Sequence, residues 1–143
     1  MICSLLAVAI LVVVGCGGKD VGDRPTTMAA GGTVTYKGAP VEGASVTFSP
    51  EGGGKAAVGK TDAQGAFTLM TFEPGDGAVA GKYTIIITKR TEQPEEENEN
   101  SEAPAAPPVK DLLPTKYGNP NTSKLTAEVT EGGENQFTFE LTD

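Results

Sequence analysis

The sequence predicts an all-β fold, a seven-stranded antiparallel Greek-key β-sandwich, set behind an N-terminal segment of a different kind. Three observations carry this. From Gly31 onward apolar residues alternate with polar ones at a period of two, the pattern of a strand with one face buried. The alternating runs are short and are separated by clusters of Gly, Pro and Asp. No run repeats at the helical period of 3.6 residues. Turn signals every 8 to 12 residues, with no helical stretch between them, are the mark of two antiparallel sheets packed face to face.

The first strand lies in TVTYK, where Val34 and Tyr36 share a face. Gly38-Ala39-Pro40 turns the chain into ASVTFS, whose Ala44, Val46 and Phe48 again share a face. Residues 56 to 61 form a weaker third candidate. The turn Asp62-Ala63-Gln64-Gly65 leads to AFTLM, with Phe67 and Leu69 aligned. Tyr83, Ile85 and Ile87 alternate through the most apolar run of the chain, which places that strand at the centre of its sheet. LTAEVT, with Leu125, Ala127 and Val129 on one face, and QFTFEL, with Phe137, Phe139 and Leu141, complete the seven. Aligning the inward faces brings Tyr36, Phe48, Phe67, Tyr83, Phe137 and Phe139 toward one core, where aromatic rings supply most of the buried area.

The chain of 143 residues has the length of one domain. It contains no histidine and no tryptophan, so the usual general base at neutral pH and the commonest metal ligand are missing. Its net charge of −8 is unevenly spread. Six of the nineteen acidic residues are Glu92, Glu95, Glu96, Glu97, Glu99 and Glu102, and the other thirteen face eleven basic residues. The domain is therefore near neutral, and nucleic acid is not an expected partner. The stretch TEQPEEENENSEAPAAPP cannot bury enough apolar surface to offset its chain entropy, so residues 91–108 are expected to be a disordered acidic and proline-rich loop between two strands. Loop closure grows only logarithmically with length, so the sheets tolerate it.

The N-terminus reads ICSLLAVAILVVV from Ile2 to Val14, followed by Gly15-Cys16-Gly17-Gly18. Thirteen residues of helix reach only about 20 Å, short of a hydrocarbon core of roughly 30 Å, so the run fits the core of a signal peptide better than a membrane span. Val13-Val14-Gly15-Cys16 resembles the lipobox of bacterial lipoproteins. That resemblance implies diacylglycerol attached as a thioether to Cys16, removal of residues 1–15, and a flexible tether over residues 16–30 leading to a β-sandwich domain at 31–143. It also implies a membrane as a partner through acyl chains of the palmitate type, and a place on the cell envelope facing the periplasm or exterior. Gly17, where aspartate marks inner-membrane retention in some bacteria, favours the outer membrane. No lysine or arginine precedes the apolar run, which departs from the usual signal peptide. Cleavage would leave Cys16 as the one cysteine, so the domain must hold without a disulfide.

The stretches GGTVTYKGAPVEGASVTFSPEGGG, AVGKTDAQGAFTL and PGDGAVAGKYTIIITK, continuing through LLPTKYGNPNTSKLTAEVTEGGENQFTFEL, resemble the carboxypeptidase-regulatory-like, or transthyretin-like, β-sandwich of bacterial lipoproteins. The resemblance implies a fold of the transthyretin-like or immunoglobulin-like kind and an envelope location. It implies no reaction. Zinc peptidase chemistry needs histidine ligands that this chain lacks. Transthyretin-like hydrolases use histidines and a C-terminal tetrapeptide other than Glu140-Leu141-Thr142-Asp143.

Four further groups of residues invite a chemical reading. Asp62, Glu73 and Asp76 sit in Gly-rich turns, and their oxygens suit Ca²⁺, although turn chemistry explains the same residues without a metal. Lys37 and Asn135 lie near strand ends and are the pair from which an isopeptide bond would form, but no acid on the central strand is placed to catalyse it. Glu51-Gly52-Gly53-Gly54-Lys55 lacks the spacing of a phosphate loop and reads as a hairpin loop. Tyr117 offers a ring for sugar stacking or for packing beneath a loop. The balance is a non-enzymatic envelope lipoprotein with no catalytic residue, metal or cofactor, whose β-sandwich is a structural or protein-interaction module. The alternative is a module for carbohydrate or another small ligand. The expected partner is accordingly an envelope protein or a glycan.

Overall fold

The computed structural model describes residues 24–91 and 110–143, which form an all-β structure of mostly antiparallel strands. Residues 13–16, including Cys16, and the acidic stretch from Glu92 onward lie outside the described residues. All seven expected segments are strands: β2 (Ala30–Tyr36), β4 (Ser45–Pro50), β5 (Ala57–Lys60), β6 (Ala66–Thr68), β8 (Gly81–Thr88), β9 (Leu125–Val129) and β10 (Asn135–Leu141). Three two-residue strands join them: β1 (Thr27–Met28), β3 (Ala39–Pro40) and β7 (Ala78–Val79). Helix among the described residues is confined to a 3-10 turn at Thr115–Gly118 and one α-turn, α1, at Pro120–Ser123.

One sheet has the order β5-β4-β8-β9, antiparallel throughout. β8 sits inside it, as its apolar run predicted, with Tyr83, Ile85 and Ile87 buried. The second sheet is built around β2. β10 flanks one side, while β3 and β6 share the other at different heights. Here the expected antiparallel pattern needs correcting, because β10 runs parallel to β2, with Asn135 opposite Ala30 and Leu141 opposite Tyr36. The cause is the path of the chain. β9 ends beside Gly81 at one end of the structure, the turn at 130–134 carries the chain across, and β10 starts at the end where β2 starts.

The inner faces of the two sheets meet through aromatic rings. Phe48 from β4 lies 6.2 Å from Phe67, 5.4 Å from Phe137 and 6.0 Å from Phe139 across the interface, and 5.7 Å from Tyr83 within its own sheet. Tilted rings at these distances add to the burial of their area. Tyr36 and Phe137 are half-buried and pack against the rim of this core, and the Tyr36 hydroxyl donates a hydrogen bond to the Asp143 carboxylate.

The close approach of β10 to β2 has a specific requirement at Gly32. A Cβ there would stand 1.8 Å from the Phe137 carbonyl oxygen, so no side chain fits. Strand pairing reaches into the stretch 16–30 expected to be a tether. Thr27 and Met28 pair with Val79 and Ala78, and Ala30 is already buried at the start of β2. Gly77 makes this possible, because a Cβ at its positive φ would meet the Met28 carbonyl oxygen at 1.8 Å.

Candidate functional site

The strands define two ends of the structure. β2 starts at the Ala30 end, where β4 stops at Pro50, β8 starts at Gly81 and β10 starts at Asn135. β8 stops at the opposite, Thr88 end, beside Ser45 at the start of β4. Seven steps of strand put these ends about 23 Å apart. The chain enters the described structure at the Ala30 end, through Arg24 to Met28.

The turn carboxylates act as backbone caps. Asp62 Oδ1 accepts the amides of Gln64 and Ala66, both at 2.9 Å. Asp76 accepts the amides of Thr71, Phe72 and Glu73 at 2.7, 3.0 and 3.1 Å. Burial acts to raise the Asp76 pKa, but these three amides and the nearby Lys55 ammonium outweigh it and hold the carboxyl below its ordinary value. Glu73 stays on the surface, its carboxylate 3.8 Å from Arg24. Among the described residues no group of three or more acidic, Cys or His side chains is arranged to hold a metal ion.

Parallel pairing separates Lys37 from Asn135. Asn135 lies opposite Ala30, whereas Lys37 follows Tyr36 at the far end of β2, about 23 Å away along the strand. Each has another partner. Asn135 accepts the Thr130 amide at 2.9 Å and donates to the Thr130 carbonyl at 3.0 Å, closing the turn between β9 and β10. The Lys37 ammonium pairs with the Asp143 carboxylate, which also accepts from the Tyr36 hydroxyl. Hydrogen bonds to Lys37 and Tyr36 hold the Asp143 carboxyl below its ordinary pKa, and the bond to Asp143 raises that of Tyr36.

Residues 51–55 are the hairpin loop between β4 and β5, and the Lys55 ammonium rests 5.0 Å from the centre of the Phe72 ring. Arg24 lies against the same ring at 5.5 Å. Tyr117 is buried, and its hydroxyl is engaged with the backbone of Thr142, so its ring packs inward and offers no stacking face.

Two surface features escaped the sequence reading. The first is an open groove of about 540 Å³ on the outer side of β4 and β5, where Val58 and Met70 are 37% and 44% exposed. The bridge between Val58 and Met70, with amide–carbonyl bonds of 2.9 and 2.8 Å, sets its floor. The second is a cleft of about 400 Å³ at the Thr88 end. Lys60, Lys89 and Arg90 line it with Glu42, Thr61 and Leu112. One wall is a short two-stranded arm, in which Thr91 donates to the Lys110 carbonyl at 3.1 Å and Leu112 to the Lys89 carbonyl at 2.7 Å. The Lys89-Arg90 pair was visible in sequence as a basic doublet ending an apolar strand. That Lys60 and Leu112 would join it depends on strand register.

No family model, curated protein or solved structure matches the chain. The functional reading therefore rests on these residues and on how the two ends of the domain differ. Acidic residues dominate the Ala30 end, where Glu51, Glu73, Asp76, Glu128, Glu131 and Glu134 outnumber Arg24, Lys55 and Lys82. At the Thr88 end Lys60, Lys89 and Arg90 line the cleft together with Glu42, and Arg90 is paired with Asp111.

Proposed function

We propose that this chain is an envelope lipoprotein, acylated at Cys16, whose domain is a non-enzymatic structural or protein-interaction module. The observation that carries the reading is the placement of its two ends. The chain enters at the Ala30 end through β1, and the basic cleft lies at the opposite end. A lipid on Cys16 would put a membrane on the first side and direct the cleft away from it. Val13-Val14-Gly15-Cys16 supports the anchor, and two or three acyl chains would make it stable, since one gives only marginal binding at about 0.8 kcal/mol per buried CH₂. Gly17 favours the outer membrane, with the domain facing the periplasm or exterior.

The same proposal takes the fold as a seven-stranded Greek-key sandwich of the carboxypeptidase-regulatory-like, transthyretin-like kind. Its support is the order β5-β4-β8-β9 against β6-β2-β10, with aromatic rings between the two sheets. The carbohydrate-binding alternative loses Tyr117, its candidate ring, to the interior.

Metabolic labelling with a palmitate analogue tests the anchor. The native chain should be labelled and Cys16→Ala should not, and equal labelling of both would defeat it. Cross-linking in cells through residues near the cleft should capture an envelope protein from the anchored chain and not from Cys16→Ala. Glycan binding with no protein cross-link would favour the carbohydrate reading.

A further inference from the structure

We infer that the free edge of β10 recognises a second copy of this chain, the two strands pairing antiparallel about Thr138. The inference goes beyond the envelope reading and needs no lipid on Cys16. β10 is an outer strand whose one sheet partner is β2. In a parallel ladder, alternate residues turn both backbone groups toward the neighbouring strand. Leu141, whose carbonyl accepts the Lys37 amide at 3.0 Å, faces β2, and Phe139, Phe137 and Asn135 face it in the same phase. Gln136, Thr138, Glu140 and Thr142 therefore turn their amides and carbonyls outward. The Tyr117 hydroxyl takes those of Thr142. Those of Gln136, Thr138 and Glu140 have no partner among the described residues. β10 is also seven residues long and carries no proline, glycine, lysine or bulge, the devices that keep exposed edges from pairing. By contrast, the β5 edge is bridged through Val58 to Met70, and β3 is two residues long and ends in Pro40.

The edge is complementary to itself, which selects a second copy as its occupant. A twofold axis through Thr138 sets that residue opposite its own copy and Gln136 opposite Glu140 of the second copy. The three outward residues of each strand then exchange about six backbone hydrogen bonds. On the exposed face two threonine hydroxyls meet, and each glutamine amide donates to a carboxylate. On the inner face half-buried Phe137 comes beside Phe139 of the second copy, extending the row it forms with its own Phe139 at 6.4 Å. Other registers are worse. An axis through Glu140 sets two carboxylates against each other, and one through Gln136 runs Glu140 past the start of β10, opposite Gly132. Antiparallel pairing puts the Ala30 end of one copy beside the Thr88 end of the other. The eleven residues from Cys16 to Thr27 reach about 36 Å when extended, more than the about 23 Å between those ends, so two anchored copies can pair on one membrane.

Disulfide capture reads both the pairing and its register. In the full-length chain carrying Cys3→Ser and Cys16→Ser, held in mild detergent, Thr138→Cys should give a covalent dimer on oxidation. Its paired Cα atoms, about 5.5 Å apart, lie within disulfide reach. Gln136→Cys alone and Glu140→Cys alone should cross-link about tenfold less, whereas the two chains mixed should form the heterodimer. Thr68→Cys, on β6 at the opposite side of the same sheet, should cross-link as little as either alone. Charge gives a second measure, read by sedimentation without oxidation. Gln136→Lys should tighten dimerisation several-fold by facing Glu140, and Gln136→Glu should loosen it several-fold. Thr68→Lys and Thr68→Glu, which change net charge equally, should move it little. All four positions are exposed, and circular dichroism checks each variant's fold. A Thr138→Cys chain that stays monomeric on oxidation would overturn the inference. Cross-linking as strong through Thr68→Cys would overturn it too, since association would then have no fixed surface. Equal yields from Gln136→Cys alone and from the mixture would do the same by removing the register.

Discussion

Tyr117 and Thr142 are joined by two hydrogen bonds, the tyrosine hydroxyl donating to the Thr142 carbonyl at 3.1 Å and accepting its amide at 3.0 Å. The pair ties the 3-10 turn after the long acidic stretch to the end of β10, satisfying backbone groups that face away from β2. Tyr117→Phe removes both bonds and leaves that amide and carbonyl without their buried partner. The expected cost is about 1–3 kcal/mol, read as a shift of the urea midpoint at unchanged slope. A midpoint equal to that of the native chain would show that water replaces the hydroxyl without loss.

Asp76 caps three amides of the loop between β6 and β7, and its lowered pKa gives the contribution a pH dependence. A carboxyl whose folded pKa lies below its unfolded value stabilises the fold fully above the unfolded value, roughly pH 4. That stability is lost as pH falls through the folded pKa. Asp76→Ala should therefore destabilise the chain near neutrality, and the gap between variant and native melting temperatures should close below about pH 4. A gap independent of pH would assign the effect to lost packing.

Gly32 admits β10 beside β2, since its missing Cβ is what leaves room for the Phe137 carbonyl. Gly32→Ala should separate the two strands or prevent folding, with a loss of more than about 3 kcal/mol, beyond the range of an ordinary surface substitution. Gly52→Ala, in the loop after β4 where nothing lies within 4 Å, is the matched control and should be nearly neutral. Similar thermal midpoints for the two variants would contradict the close approach.

Phe48 touches four other rings and bridges the two sheets. Phe48→Ala should cost about 3–5 kcal/mol, combining lost burial with a cavity. Phe48→Leu should recover most of that loss, because the site asks for apolar volume before it asks for a ring. Equal losses in the two variants would show that ring geometry outweighs volume.

Much of the fold was legible in the sequence because strand faces repeat every two residues. Val46 and Phe48, or Ile85 and Ile87, announce their burial in a pattern that local geometry imposes. Turn residues were equally readable. Asp62 caps the turn in which the sequence placed it, because an aspartate reaching amides two and four residues on is a local event. Tyr36 packs against the core as its alternation implies, but alternation says nothing of what a hydroxyl at the rim finds there, in this case the Asp143 carboxylate. Asn135 was singled out for the wrong partner, since its bonds to Thr130 depend on how two strands are joined.

The sequence by itself determined the all-β class, the positions of seven strands and the identity of most core residues. Each is written in neighbouring residues, where spacing along the chain stands in for distance. Only the tertiary structure decided that β10 runs parallel to β2, that Lys37 and Asn135 lie at opposite ends, and that Lys60, Lys89, Arg90 and Leu112 border one cleft. Those relationships follow from strand order and register, set by the simultaneous packing of both sheets around Phe48, and no local pattern encodes them.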